Sequence, residues 1–364
     1  MALLPASAGA VNPESPEVRQ VVAKGLEYLE GHTDERTGGK ALIGLTFYKA
    51  ARAGLCSSKH ARIEEARSAC RQMSGRVEEF DNYIYSKALA TIFLAEVGGD
   101  RDLLARYARM MEVHRKPHGG FSYISFKTGD TSQTQYAALA YWELLNHGVR
   151  PEAEVIQGCL NWLLRTQDPT GTWGYQGKDP GSFELIDQPS DPGLSMAAAG
   201  MGGTLILANM LGIMLPPDQE RIVQREIPDA LVRADVGKKR NAPSLPSGDV
   251  QPQRVAQALQ RGRAWFDKNF QIELSGYQCY YLYSLERYRS FEEYVDGTVI
   301  EEPDWYQKGY ELLKSNQNAD GSWSGQSGKP CATAFAILFL LRSTQQSIKA
   351  SLGEGTLVGG RGLP

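Results

Sequence analysis

Two aspartates stand where a carboxyl group could do chemistry. Asp130 opens the segment Asp130-Thr-Ser-Gln-Thr134, and Asp191 opens Asp191-Pro-Gly-Leu-Ser195. Each leads into a long apolar stretch, and an acid in dry, apolar surroundings can deliver a proton. A second role competes with that one. An aspartate ahead of a helix accepts hydrogen bonds from free backbone N–H groups, and Asp81 and Asp130 both suit that capping role. Glu184, Asp187 and Asp191 form an acidic stretch that lines a cavity mouth or lies in a solvated loop. His118, in Pro117-His-Gly-Gly-Phe121, sits in a turn where it could serve as acid or base or stay in solvent.

Metal chemistry finds little support. The five cysteines, Cys56, Cys70, Cys159, Cys279 and Cys331, never fall at CxxC spacing. The five histidines, His32, His60, His114, His118 and His147, lie far in sequence from Cys279 and Cys331. No metal and no cofactor is therefore expected, and buried cysteines serve as small packing residues. A Cys56–Cys70 bridge is open if the chain is exported.

The elements that must position these groups follow from a repeat. Two kinds of helical segment alternate along the chain. Residues 16–30, 59–74, 101–114, 153–166, 254–268 and 303–315 are amphipathic. Residues 40–54, 83–97, 131–147, 193–212, 276–290 and 330–343 are apolar nearly all round, as in Gln135-Tyr-Ala-Ala-Leu-Ala-Tyr-Trp142. A helix apolar on every side must be buried on every side. Two concentric layers satisfy both patterns, with apolar helices inside and amphipathic ones outside. Six such pairs close a ring, an all-α (α/α)6 toroid spanning residues 16–343.

Small residues recur at one register of the outer helices: Gly25, Cys159, Gly262 and Gly309, each three before an aromatic residue or Leu. A helical glycine costs up to ~1 kcal/mol, so its recurrence predicts a close neighbour. Glycine turns join outer to inner helices at 119–121, 171–173 and 321–323. Residues 214–252 interrupt the repeat with six prolines and the basic run Lys238-Lys-Arg240, and read as an insertion that is partly helical at Gln219–Glu226. Residues 344–364 read as a flexible tail.

Inner helices of such a ring run parallel, so their N-termini gather at one end. The positive dipole ends there favour an anionic or polar head group. The polar residues at those starts are the binding candidates: Asn82, Tyr85, Asp130, Gln133, Gln135, Asp191, Tyr277, Gln278 and Tyr281, with His118 at the rim. Tyrosine rings there can stack on a ligand or stabilise a cation.

The turns Gln167-Asp-Pro-Thr-Gly-Thr-Trp173 and Gln317-Asn-Ala-Asp-Gly-Ser-Trp323 share the form Q-x-x-x-G-x-W. They resemble the QW motif of the terpenoid cyclases, with related turns in protein prenyltransferase β subunits. Through the repeat, the resemblance covers nearly the whole chain and is nearest to bacterial single-ring prenyltransferase and squalene oxidase repeat proteins. It implies an apolar central cavity for an isoprenoid-type ligand, with the Gln and Trp of these turns in structural roles. It also implies a DxDD-T acid segment or, for a prenyltransferase, an Asp-Cys-His zinc site. Asp130-Thr-Ser-Gln-Thr134 keeps only the first Asp and the closing Thr, and Asp191-Pro-Gly-Leu-Ser195 only the Asp. Cys279 resembles the zinc cysteine loosely, with no histidine to complete the site. Asp130 and Asp191 are the catalytic candidates that the resemblance leaves.

A net charge of -3, from 39 basic and 42 acidic residues, excludes nucleic acid and anionic membrane as expected partners. No apolar run reaches the ~20 residues that span a bilayer. Residues 2–10 contain Ala6-Ser-Ala8 and Ala8-Gly-Ala10, the small-x-small form of a signal-peptidase site. Residues 1–15 thus read as a signal remnant or a disordered tail, and the chain as exported or else cytoplasmic. The alternative to an isoprenoid-binding ring is an exported, non-enzymatic scaffold for a glycan, peptide or protein partner.

Overall fold

The computed structural model describes residues 10–73, 84–189, 193–214 and 244–352. Among these are thirteen helices: α1 (Pro16–Gly31), α2 (Thr37–Arg52), α3 (Ala61–Met73), α4 (Ile84–Glu96), α5 (Arg101–Glu112), α6 (Thr131–Asn146), α7 (Ala153–Arg165), α8 (Leu194–Met210), α9 (Pro252–Asn269), α10 (Gln278–Asp296), α11 (Asp304–Ser315), α12 (Lys329–Leu340) and α13 (Ser343–Ser351). One short antiparallel ladder joins β1 (Gly129–Asp130) to β2 (Gln176–Gly177).

The even-numbered helices form the inner ring. Each packs on the next, α2 on α4, α4 on α6, α6 on α8, α8 on α10 and α10 on α12, and α12 returns to α2. The odd-numbered helices α1 to α11 stand outside, with α3 against α2, α5 against α4, α7 and α9 against α8, and α1 and α11 against α12. The chain is an (α/α)6 toroid. The cause is the pattern of apolar residues: α8 is buried at every position from Met196 to Met210, whereas α3 buries only Ile63, Ala66 and Cys70. Proline at the first turn of α1, α9 and α12 starts those helices where an N–H would lack a partner anyway.

The outer-helix glycines do touch close neighbours. A Cβ on Gly25 would lie 2.9 Å from Ile337 and Trp323, one on Gly262 2.2 Å from the Met201 sulfur, and one on Gly309 2.3 Å from the Phe339 ring. The two Q-x-x-x-G-x-W turns repeat one geometry. Gln167 Nε2 donates to the carbonyls of Gly171 (2.7 Å) and Ala258 in α9 (2.9 Å). Gln317 Nε2 donates to those of Gly321 (2.9 Å) and Val21 in α1 (3.0 Å). Trp173 and Trp323 donate from Nε1 to Leu163 and Leu313, at 2.9 and 2.8 Å. Each glutamine therefore ties its turn to the next outer helix around the ring.

α13 lies where a flexible tail is expected, and its polar sequence hides the reason. Its buried residues are Ser343, Thr344, Ser347 and Ile348. Glu286 of α10 accepts hydrogen bonds from the Thr344 and Gln345 amides at 3.1 and 3.3 Å, an anion on a helix N-terminus. The Ser347 hydroxyl bonds Lys49 of α2 (2.7 Å) and Glu96 of α4. At its far end Ser351 shares a void of about 10 Å³ with Trp142, Asn146, Asn209, Met210 and Tyr294. α13 thus crosses the C-terminal end of the ring. Arg342, at φ 46° and buried, makes the preceding turn and pairs with Glu293 at 2.7 Å.

The return of the insertion is tied down. Ser244 and Pro246 offer carbonyls to Arg150 and Gln157, at 3.0 and 2.8 Å. The expected helical piece at 219–226 lies outside the described residues. All five cysteines are free thiols, so no Cys56–Cys70 bridge forms; Cys56 Sγ instead donates to the Phe47 carbonyl at 3.3 Å.

Candidate functional site

The inner helices begin at one end of the ring. Asp130 is set there by the ladder. A Cβ at Gly129 or Gly177 would come within 2.4 or 2.5 Å of the Trp162 ring, so two glycines let the β1–β2 pair lie directly on the indole. The Asp130 amide donates to the Phe121 carbonyl at 2.8 Å, and the Thr131 hydroxyl to the Gly174 carbonyl at 2.7 Å. Asp130 then caps α6, its Oδ1 accepting from the Gln133 amide at 3.0 Å.

Capping does not exhaust its role. Asp130 is fully buried. Oδ1 also accepts from the Ser132 hydroxyl at 2.6 Å, and Oδ2 from Gln133 Nε2 at 3.2 Å. Ser132 in turn meets the Tyr85 hydroxyl at 2.8 Å. Burial raises the Asp130 carboxyl above the usual aspartate range, against the opposing pull of Ser132, the Gln133 amide and the Tyr175 phenol. The carboxyl is held toward its protonated form at the mouth of the ring.

Deeper in, aromatic rings and one cation occupy the axis. Tyr85 meets Tyr136 edge-on at 5.3 Å, Tyr136 stacks on Tyr280 at 6.1 Å, and Phe335 lies against both Tyr280 (6.1 Å) and Tyr283 (5.3 Å). The Arg287 guanidinium sits over the Tyr283 and Tyr136 rings, at 4.5 and 5.1 Å from their centroids. Gln135 reaches across α8 to α10, its Oε1 accepting from the Ser284 hydroxyl at 3.4 Å. Burial pushes the Tyr280 phenol up to about 12, so it stays a hydroxyl.

Polar groups stand among these aromatic rings. The Tyr136 and Tyr280 hydroxyls, Gln133 Oε1, Gln135 Nε2 and all three nitrogens of Arg287 are buried without a hydrogen-bond partner. Arg287 makes no ion pair among the described residues. Outside the axis, a surface groove of about 410 Å³ lies between α1 and the 319–321 turn.

The sequence candidates sort as follows. Asp130, Tyr85, Gln133 and Gln135 gather at the mouth and on the axis. Gln278 does not join them: it closes its own loop, donating to the Ile272 carbonyl and accepting from the Leu274 amide. Tyr281 faces outward and donates to the Gln271 carbonyl at 2.7 Å. Tyr277 is exposed on that loop. His118 lies over the outer helix α7, stacked 6.0 Å from Trp162 and bonded to the Lys127 carbonyl, away from the axis. Asp81, Asn82 and Asp191 lie outside the described residues. Glu184 is bonded within its loop.

Sequence reasoning missed Tyr136, Tyr280, Tyr283 and Arg287. The spacing of the last three, i, i+3 and i+7, marks one face of α10 and was the available signal. It also passed over the rim. Ile124, Phe126 and Tyr175 are exposed around the mouth, and the Tyr175 hydroxyl meets that of Tyr123 at 3.3 Å. Among the described residues no cluster of His, Cys, Asp or Glu can hold a metal, and no helix is long and apolar enough to cross a membrane.

No family model and no curated protein matches the chain. Solved structures do match it in shape. A family 76 glycoside hydrolase (mannosidase) from Bacteroides thetaiotaomicron is 8% identical, with a TM-score of 0.57 over 92% of this chain and 100% of that one. A Listeria innocua protein is 12% identical, with a TM-score of 0.55 over 91% and 98%. A possible member of the GH105 family from Salmonella enterica is 13% identical, with a TM-score of 0.51 over 95% and 97%. At such identities the likeness establishes the fold they share, the α/α toroid, and nothing finer.

Proposed function

We propose that the ring binds a polar, glycan-type ligand, which docks on the aromatic rim and presents its hydroxyl groups to the polar interior beyond Asp130. The observation that carries this reading is the set of partnerless buried groups: Tyr136 and Tyr280 hydroxyls, Gln133 Oε1 and Gln135 Nε2. A buried polar group without a partner costs about 1–3 kcal/mol, so several in one place mark a site completed by something other than protein. The exposed rim of Phe126 and Tyr175 suits stacking against a sugar face. Two of the similar toroids are named as glycoside hydrolases or possible members of such a family, which supports the ligand class without assigning a reaction.

The isoprenoid reading is served less well. A dry cavity for a hydrocarbon has no use for a guanidinium and four partnerless polar atoms. Asp130 gives the mouth a carboxyl group able to donate a proton, and the proposal concerns binding rather than turnover. Export belongs to the same proposal, on the small-x-small pattern of residues 6–10. Cell fractionation tests it, and protein confined to the cytoplasm would sink it.

Binding is tested by native mass spectrometry of the folded chain. It is offered neutral and acidic oligosaccharides and, separately, polyprenyl diphosphates, squalene and a cell lipid extract. The expected outcome is a retained saccharide whose affinity falls about tenfold in Tyr136→Phe, the loss of one hydrogen bond at a buried site. Retention of lipid with no saccharide bound would overturn the reading.

A further inference from the structure

Arg287 is a more demanding feature than the hydroxyl groups around it. Its guanidinium is charged at any pH a folded protein meets and fully buried, pairs with no carboxylate among the described residues, and has no well-aligned hydrogen bond from any of its three nitrogens. The other fully buried arginine, Arg342, shows the usual solution: it pairs with Glu293 and donates to the Ile300 carbonyl, both at 2.7 Å. Lys49, also buried, pairs with Glu96. Arg342 and Lys49 are thus neutralised by carboxylates, and Arg287 is not.

The surroundings are those of a site rather than of a packing accident. Tyr136 and Tyr283 flank the guanidinium with ring centroids 5.1 and 4.5 Å away, and their phenols interact with it, which offsets part of its desolvation but supplies no counter-ion. Tyr136 belongs to α6 and Tyr280 to α10, and neither buried hydroxyl makes a well-aligned hydrogen bond. α13 crosses the far end of the ring, and Asp130 stands at the opposite end, where α6 begins. A planar fork of donors held between tyrosine faces on the ring axis fits a carboxylate or a phosphate, which take two parallel N–H···O bonds.

We infer that Arg287 is the anchor of an anion subsite on the ring axis, and that the ligand carries a carboxylate or phosphate group which pairs with the guanidinium. Tyr136 and Tyr280 donate their hydroxyls to the same anion. The inference rests on the axial binding reading above and specifies the ligand's charge. Asp130, held toward its protonated form, sits at the same mouth without repelling such a ligand in that form.

The test is thermal melting of the full chain at constant ionic strength, titrated with glucuronate, glucose and inorganic phosphate. Wild type, Arg287→Met and Arg287→Lys are compared. Glucuronate should raise the wild-type Tm in a saturable way, with glucose far weaker and the effect absent in Arg287→Met. Arg287→Lys keeps the charge but not the fork, and should bind about tenfold more weakly. Should Arg287→Met fail to fold, the Lys variant carries the comparison. Equal stabilisation by glucuronate and glucose would overturn the anion subsite and leave the glycan reading standing. Stabilisation by phosphate alone, lost in the variants, would uphold the subsite and remove the glycan reading. Anion effects equal in all three proteins, or none at all, would overturn the subsite.

Discussion

At the scale of single residues, the mouth of the ring is governed by the cost of burying charge. Asp130 is fully buried and its carboxyl is raised by desolvation. A raised carboxyl means that the folded chain binds its proton more readily than the unfolded chain. Stability therefore falls as pH rises from the unfolded aspartate value through the folded one. Asp130→Asn keeps a side-chain oxygen for capping and removes the charge. Its melting temperature should match wild type at acid pH, where Asp130 is protonated in both states, and exceed it at neutral pH. A variant less stable than wild type at neutral pH would show that the ionised carboxylate is held by stronger partners than Ser132 and Gln133. Gly321 tests a different force. It has φ 83°, and a Cβ there would lie 2.2 Å from the Lys24 carbonyl oxygen. Gly321→Ala should lose more than about 2 kcal/mol in denaturant unfolding, the left-handed cost plus that of the clash. Gly98→Ala, at φ 73° with open space around it, bears only the left-handed cost of about 1–2 kcal/mol. Equal losses at the two positions would show that the Lys24 contact is not limiting.

At the scale of elements, the end of the ring that α13 crosses depends on a buried charge cluster. Lys49 of α2 bonds Glu96 of α4, and both bond Ser347 of α13. Burial favours the neutral form of Glu96, but Lys49 beside it reverses this and keeps its carboxyl below the usual range. Glu143 of α6 lies next to them, and burial and the Glu96 charge drive its carboxyl well above the usual range. Removing one member of a buried pair costs about 3–5 kcal/mol, and Lys49→Met should lose that much. Glu143→Gln imitates the protonated acid and should cost far less. It should also flatten the decline of stability with rising pH that a raised carboxyl imposes above its unfolded value. Chemical denaturation of both variants across pH checks this. A Glu143→Gln loss as large as that of Lys49→Met would mean that Glu143 is the ionised partner.

The elements were legible in the sequence to different degrees. The inner helices declare themselves because Ala332-Thr-Ala-Phe-Ala-Ile-Leu-Phe-Leu-Leu341 has no polar face. The outer glycines and the two Gln-to-Trp turns mark where rings of neighbours approach. α13 was illegible because its buried side is mostly hydroxyls, which meet Glu286, Glu96 and Lys49 rather than a hydrocarbon core. Hydropathy patterning cannot register a polar face whose partners are distant in sequence. At the site, nearness to the helix start selected Tyr277, Gln278 and Tyr281, which hold a loop. The residues on the axis are Tyr280, Tyr283 and Arg287. Within a helix the face matters more than the distance from its start, and one arginine in a tyrosine-rich helix reads as a solvent-facing charge until the ring is closed around it.

At the scale of the whole molecule, the ring is crossed at one end by α13 and carries at the other the inner-helix starts, exposed aromatic residues and a raised carboxyl, an arrangement suited to the proposed binding. The toroid is the one that the Q-x-x-x-G-x-W turns imply, and its axis combines aromatic rings with polar groups and one cation. The turns report how the repeats are joined, while the lining of the axis reports what the ring holds, and in this chain that lining is polar and cationic. The most direct measurement is the electron density on the axis in crystals of the protein grown with glucuronate. The account predicts ordered density within hydrogen-bonding distance of the Arg287 guanidinium and the Tyr136 and Tyr280 hydroxyls. Arg287 turned away to pair with a protein carboxylate, with no ordered group between the tyrosines, would contradict it.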